Sequence, residues 1–185
     1  MGKFTKDWFT QNIPIWTKAV LPNLSSNTPK WLELGTYEGR AAEWILDNAM
    51  PRGGELTCVD IWKDHNGRYD PDAEKRFDKN IGDRAIKRKG LIFDFLLGEV
   101  RSGRKYDAIY VDGGHDATEV MEQSTLCWRI MSPRALIIWD DYSWRDRSGR
   151  HGHTPPGVAI DGFIQSYLTE IRVIHKDYQV IAQKL

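Results

Sequence analysis

Apolar positions along the chain fall into short runs that alternate between a strand-like and a helix-like period, separated by glycine, proline and charged turns. Residues 31–35 and 55–60 read as strands on either side of a helix at 39–49, which Pro51-Arg52-Gly53-Gly54 ends. A polar, turn-rich stretch at 61–72 leads into a helix at 72–81 with Ala73, Phe77 and Ile81 on one face. A third strand at 84–89 stops at Gly90, and 91–100 reads as a helix, although its apolar run fits a strand as well. The β-branched and aromatic run at 106–112 is a strand, left through Gly113-Gly114-His115. Asp116 is placed to cap the next helix, with Glu119 in capping-box register. That helix carries Val120, Met121, Ser124, Trp128 and Met131 along one stripe before Pro133 stops it. A strand at 135–139 ends in Asp140-Asp141, a charged and turn-rich loop runs from 142 to 156, and 157–168 is the last helix. Residues 171–175 and 178–184 close the chain as a hairpin.

Strand–helix alternation ending in a hairpin predicts an α/β fold: a mostly parallel sheet, helices on both faces and one antiparallel strand. At 185 residues the chain reads as one domain, 1–185, with an aromatic helical segment at 1–29 ahead of a core at 30–185. Phe4, Trp8, Phe9, Ile13, Ile15, Trp16, Val20 and Leu21 give that segment roughly helical spacing, and Pro14 forces a break or a fresh helix start. A helical pair packed on the sheet is the plain expectation; a lid beside a pocket, or a homodimer contact, is the sharper one.

Composition narrows the class. With 41% hydrophobic and 28% charged residues and a formal net charge of zero, a long polyanion is not the expected partner, so no nucleic acid is expected. Arg84, Lys87, Arg88 and Lys89 read as a solvated strand face, without the interleaved aromatics that stack on bases. Cys58 and Cys127 fit no framework and read as small buried thiols of a reducing compartment. Neither a leader nor an apolar run long enough to span a membrane is visible, so a cytoplasmic enzyme-sized domain is expected.

The candidate chemistry starts at Glu33-Leu34-Gly35-Thr36-Tyr37-Glu38-Gly39. Glycines here allow a sharp turn and close approach of a ligand, the following helix aims its unsatisfied N–H groups at the loop, and Asp60 ends the next strand. A glycine turn with a distal acid is the logic of ribose recognition, although plain turn residues satisfy the same spacing. The spacing is not Gly-x-Gly-x-x-Gly, and no Gly-Lys-Ser/Thr follows. On Glu33, Gly35, Gly39 and Asp60 the chain resembles the class I S-adenosylmethionine (SAM) methyltransferases. The resemblance implies a Rossmann-like seven-stranded sheet. It places Glu33, Gly35 and Gly39, with Thr36 and Tyr37, at the amino-acid end of SAM, Asp60 on the ribose diol, and Ile61 or Trp62 over the adenine.

Asp60, Asp112, Asp140 and Asp141 all end strands, where open α/β sheets bind ligands. If the strands before Asp112 and Asp140 are neighbours, their ends lie about 4.8 Å apart. Three carboxylates there repel unless protonated or bound to a cation, and oxygen ligation suits Mg²⁺, Mn²⁺ or Ca²⁺; solvated strand-end acids are the plain alternative. Asp112 and Asp140-Asp141 resemble the metal positions of the catechol and caffeoyl-CoA O-methyltransferases, with His115 where that family has a lysine base. The runs 111–115, 139–142 and 156–161 are similar to "methyltransferase 24" domains, and macrolide sugar O-methyltransferases share Asp-Asp-Tyr. The resemblance implies SAM-dependent O-methylation of a small molecule or sugar. Asp112, also beside the cofactor, would hold a divalent ion with Asp140 and Asp141, and His115 would take the proton. His151 and His153 read as solvated loop residues, with substrate contact second. The rivals are a metal-independent methyltransferase acting on nitrogen, protein or RNA, a non-catalytic SAM-binding module, and a nicotinamide oxidoreductase.

Overall fold

The apolar runs pair into one seven-stranded sheet in a computed structural model that describes residues 2–50, 52–63, 70–145 and 154–185. In chain order the strands are β1 (Lys30–Leu34), β2 (Glu55–Asp60), β3 (Ile86–Lys89), β4 (Tyr106–Val111), β5 (Met131–Trp139), β6 (Ile171–Lys176) and β7 (Val180–Lys184). Across the sheet they lie in the order β3-β2-β1-β4-β5-β7-β6. The first five are parallel, and β7 runs antiparallel to both β5 and β6.

Period-two alternation divides each central strand between two cores. Leu32, Leu34, Ile109, Val111, Ile137 and Trp139 face one core, closed by helices α4 (Ile92–Ser102), α5 (Ala117–Ile130) and α6 (Pro156–Ser166). Trp31, Cys58, Ala108, Tyr110 and Ile138 face the other, closed by the N-terminal segment, α2 (Arg40–Asn48) and α3 (Ala73–Asn80). Both faces of the parallel strands are buried, which is why β4 and β5 read as nearly continuous apolar runs. The ambiguous run at 91–100 is helix α4; Gly90 (φ 155°) ends β3, and Gly103 (φ 73°) caps the helix in the left-handed conformation only glycine adopts freely.

Two expectations change. The N-terminal segment is a single helical run rather than a pair: a 3₁₀ turn at Thr10–Asn12, α1 (Ile13–Ile15) with Pro14 in its first turn, a π turn at Trp16–Val20 and a 3₁₀ turn at Leu21–Asn23. Pro14 needs no backbone donor in the first turn of α1, so the run continues through it instead of breaking. Strand β5 also begins at Met131, four residues early. The chain turns extended straight after Ile130, Tyr106 pairs with Met131, and the register slips before Ala108 pairs with Leu136. Pro133 and Arg134 (φ 63°) sit in that irregularity, where a missing ladder N–H costs nothing.

Among the described residues no helix is long and apolar enough to cross a membrane. The buried tryptophans instead knit the N-terminal run to the sheet. Trp16, fully buried, lies nearly parallel to Trp31 at 5.9 Å and meets Tyr110 and Trp44 edge-on, and its Nε1–H donates to Gln179 Oε1 at 2.8 Å.

Candidate active site

Strand order reverses at β1: the chain steps outward to β2 and β3, then returns to β4 on the other side. At such a point the loops leaving β1 and β4 diverge and open a crevice. Ladder bonding continues one residue past each strand here. Gly35 N–H donates to Val59 C=O (2.8 Å), Asp112 to Leu34 (2.8 Å) and Asp140 to Val111 (3.0 Å). The strand-end residues therefore share one edge, and Gly35 must be glycine: at φ 83° its Cβ would stand 2.3 Å from Asp112 O.

Asp60 holds the glycine loop. Its Oδ2 accepts the N–H groups of Thr36 (2.9 Å) and Tyr37 (2.8 Å), and its Oδ1 accepts that of Trp62 (2.7 Å). Three of roughly four acceptor positions are used, and Asp60 also lines the cleft. Beneath the loop Glu33 is fully buried and accepts from Thr36 Oγ1 (2.7 Å) and Cys58 Sγ (3.3 Å). Burial, against those hydrogen bonds, pushes the Glu33 carboxyl up to about 7. Between the ordinary glutamate value and 7 the native state then holds a proton that the unfolded chain releases, so stability falls as pH rises through this window. Glu33→Gln is expected to remove that dependence, gaining roughly 3 kcal/mol on wild type between pH 4.5 and 8. Denaturant midpoints of the two proteins that stay parallel across that range would contradict it.

A cleft of about 290 Å³ opens beside this loop. Gly35, Asp60 and Ile61 form one wall, Gly90–Phe93 a second, and Asp112, Gly113 and the first turns of α5 a third. Next to it stand the remaining acids. Asp112, His115 and Asp141 bring one ligand atom each within 4.8 Å of one another. His115 Nε2 lies 2.9 Å from Asp141 Oδ2, and Tyr178 OH donates to Asp141 Oδ1 at 2.6 Å. Asp141 reaches this place through a left-handed turn, φ 58°, with its N–H on Asp140 Oδ1 (2.8 Å). Burial and the charges of Asp140 and Asp141 hold the Asp112 carboxyl well above the usual range. Burial would raise Asp141 too, but hydrogen bonds from His115 and Tyr178 bring it below. The hydrogen bond to Asp141 lifts His115, outweighing burial.

The Methyltransf_24 profile, described as a methyltransferase domain, matches residues 32–142, more than half of the chain. The chain belongs to the methyltransferase 24 family. No curated protein sequence matches it. Among solved structures, an O-methyltransferase from Bacillus cereus in complex with SAH (S-adenosylhomocysteine) is similar at a TM-score of 0.71 and 16% identity, over 98% of this chain and 84% of that one. TomG from Streptomyces achromogenes, an O-methyltransferase involved in tomaymycin synthesis solved with SAM, gives 0.66 and 18%, over 92% and 79%. MycE, from the mycinamycin biosynthetic pathway and solved with Mg, SAH and mycinamycin VI, gives 0.68 and 14%, over 97% of this chain and 50% of that one. At these identities the likeness speaks for the fold, the seven-stranded Rossmann-like sheet of SAM-dependent methyltransferases.

Within this methyltransferase 24 domain Gly35, Asp60, Ile61 and Asp112 line the cleft. Other candidates face elsewhere. The Trp62 ring is buried against Phe77 (5.0 Å) with its Nε1–H on Tyr37 O (2.7 Å), because the short bond from its N–H to Asp60 turns it at φ 43° away from the cleft. Trp62 is not among the residues that line the cleft. Tyr37 points its hydroxyl to Asp70 (2.9 Å) and its ring to Trp8 (5.2 Å). Gly39 caps α2 at φ 84°, and a Cβ there would meet Ile81 Cγ1 at 2.5 Å, so it serves the packing of α3. Asp140 gives one oxygen to Tyr110 OH and the other to Asp141 N–H, and His115 joins Asp112 and Asp141 where Asp140 was expected. Sequence reading passed over Leu91–Phe93, Glu119, Glu122 and Gln123, which complete the cleft; Leu91 and Phe93, exposed at a helix start, were the available signal. His151, His153 and most of the 142–156 loop lie outside the described residues.

Proposed function

We propose that this methyltransferase domain moves the methyl group of SAM to a hydroxyl oxygen of a small molecule or sugar. The observation that carries this reading is the double position of Asp112, which lines the cleft and also belongs to the cluster with His115 and Asp141. A nucleoside held by Asp60 and the glycine loop would bring its sulfonium toward that cluster. Among the described residues the cleft lining carries no lysine or arginine, which suits a nucleoside better than a phosphorylated nucleotide. Ile61, Leu91 and Phe93 offer apolar surface to the purine in place of Trp62.

At the cluster the acceptor hydroxyl loses its proton to the His115 imidazole as the carbon–oxygen bond forms and the carbon–sulfur bond breaks. Asp141 orients the ring and stabilises the imidazolium. Two carboxylates and an imidazole within 4.8 Å also fit a divalent ion such as Mg²⁺ or Mn²⁺. Asp112 and Asp141 would hold it, and it would lower the pKa of the acceptor hydroxyl. The direct His115–Asp141 contact favours a second reading, in which that pair is the whole base and no metal takes part.

Calorimetry with SAM and SAH tests the cofactor half. Both should bind, and Asp60→Ala should weaken them tenfold or more, about 1.5–3 kcal/mol for one charge-assisted hydrogen bond. The loss should be compounded by release of the Thr36 and Tyr37 N–H groups. Absence of binding by wild type would end the SAM reading.

A further inference from the structure

Gln123 lies on the second turn of α5, 8% exposed, against the same cleft as Asp60. Its Oε1 is fully enclosed and has no hydrogen-bond partner. An unpaired buried amide oxygen is costly, and native folds keep one chiefly where something else supplies the donor. Two glycines border the amide and its wall of the cleft. A Cβ on Gly113 would stand 2.1 Å from Ile92 Cδ1, and one on Gly114 would stand 3.0 Å from Glu119 Cβ and 3.1 Å from Gln123 Nε2. Side chains at 113 and 114 would crowd the wall between the cleft and the amide.

The opposite wall offers no side chain that accepts from the amine of a base. Beyond β3 the lining is Gly90, Leu91, Ile92 and Phe93, which presents apolar side chains to a ring but no side-chain acceptor. Of the other lining acceptors, Asp60 belongs to the glycine loop and Asp112 to the cluster with His115 and Asp141, which leaves those on α5. Glu119 and Glu122, both exposed, flank the buried amide at the rim, and their charge disfavours a phosphorylated ligand.

Resting on the SAM reading above, we propose that the Gln123 carboxamide turns toward the cleft when the cofactor enters and reads the adenine at its N7 edge, its oxygen accepting from the exocyclic amine and its nitrogen donating to N7. A carboxamide matches adenine in this two-bond way and mismatches a purine with oxygen in place of the amine. Gln123 is thus a specificity-determining residue, reached from α5 rather than from the end of β3.

The test is calorimetric binding of S-adenosylhomocysteine and S-inosylhomocysteine, in which a carbonyl oxygen replaces the amine. Wild type should prefer the adenosyl compound by about 5- to 150-fold, the range of one such base pair of hydrogen bonds. Gln123→Met, similar in length and without an acceptor, should lose that preference by weakening the adenosyl compound alone. Wild type that binds both compounds equally overturns the proposal without needing any variant. So does a Gln123→Met protein that keeps the preference. If wild type binds neither compound, the SAM reading fails and takes the proposal with it; if it binds both equally, SAM recognition stands and only the role of Gln123 is lost.

Discussion

Chelation of divalent metal is expected to lower methyl transfer by roughly 10³-fold, the several kcal/mol a Lewis-acidic ion contributes to the barrier, and restored Mg²⁺ or Mn²⁺ should recover it. Asp141→Asn should match that loss, because Asp141 belongs with Asp112 and His115 to the group that can hold an ion. SAM affinity should change little, since Asp141 is not part of the cleft lining. His115→Ala should cost about 10²–10⁴-fold, as for a general base, with or without added metal. The two readings of the cluster part at the chelator. A protein indifferent to EDTA but crippled by both substitutions uses the His115–Asp141 pair alone. Full activity in Asp141→Asn, with or without EDTA, would remove both.

The strands and their order of appearance were legible because burial on both faces leaves dense apolar runs, as in Ala135-Leu136-Ile137-Ile138-Trp139. Strand-end acids were legible for the same reason: a lone aspartate after such a run marks the sheet edge. What the sequence hid depends on where a side chain turns after the backbone is placed. Trp62 follows Ile61 directly and looks equally suited to a base, yet one hydrogen bond from its N–H to Asp60 sends it into the core. Asp141 and Asp140 are adjacent, and only the left-handed turn at Asp141 decides that it is Asp141 that meets His115. Gln123 looked like an ordinary polar residue of an amphipathic helix, since its unpaired oxygen is a property of tertiary packing.

The largest stability effect is expected at Trp16. Trp16→Ala should destabilise the fold by about 3–5 kcal/mol, the usual cost of emptying a large aromatic site. The ring touches Phe9, Trp31, Trp44 and Tyr110, so the cavity would open between the N-terminal run and the sheet with little to collapse into it. Gln179, also fully buried, would lose the donor at its Oε1. Trp16→Phe separates the two contributions, keeping most of the packing while losing the hydrogen bond, at about 1–3 kcal/mol for the unpaired acceptor. Urea midpoints with unchanged m-values measure both. A Trp16→Ala protein within about 0.5 kcal/mol of wild type would show that the N-terminal run is not part of the cooperative unit.

The partner of Trp16 lies 163 residues further along the chain, and Thr5 reaches 33 residues ahead to bond Glu38 through its N–H at 2.6 Å. During synthesis the aromatic N-terminal run therefore leaves the ribosome long before β4 and the Gln179 turn exist to receive it. Phe9, Trp16 and Val20, all buried in the finished fold, lack part of their cover until those later residues are made. At about 5–20 residues per second that interval lasts on the order of ten seconds or more, a window in which a chaperone that holds exposed aromatics has something to hold.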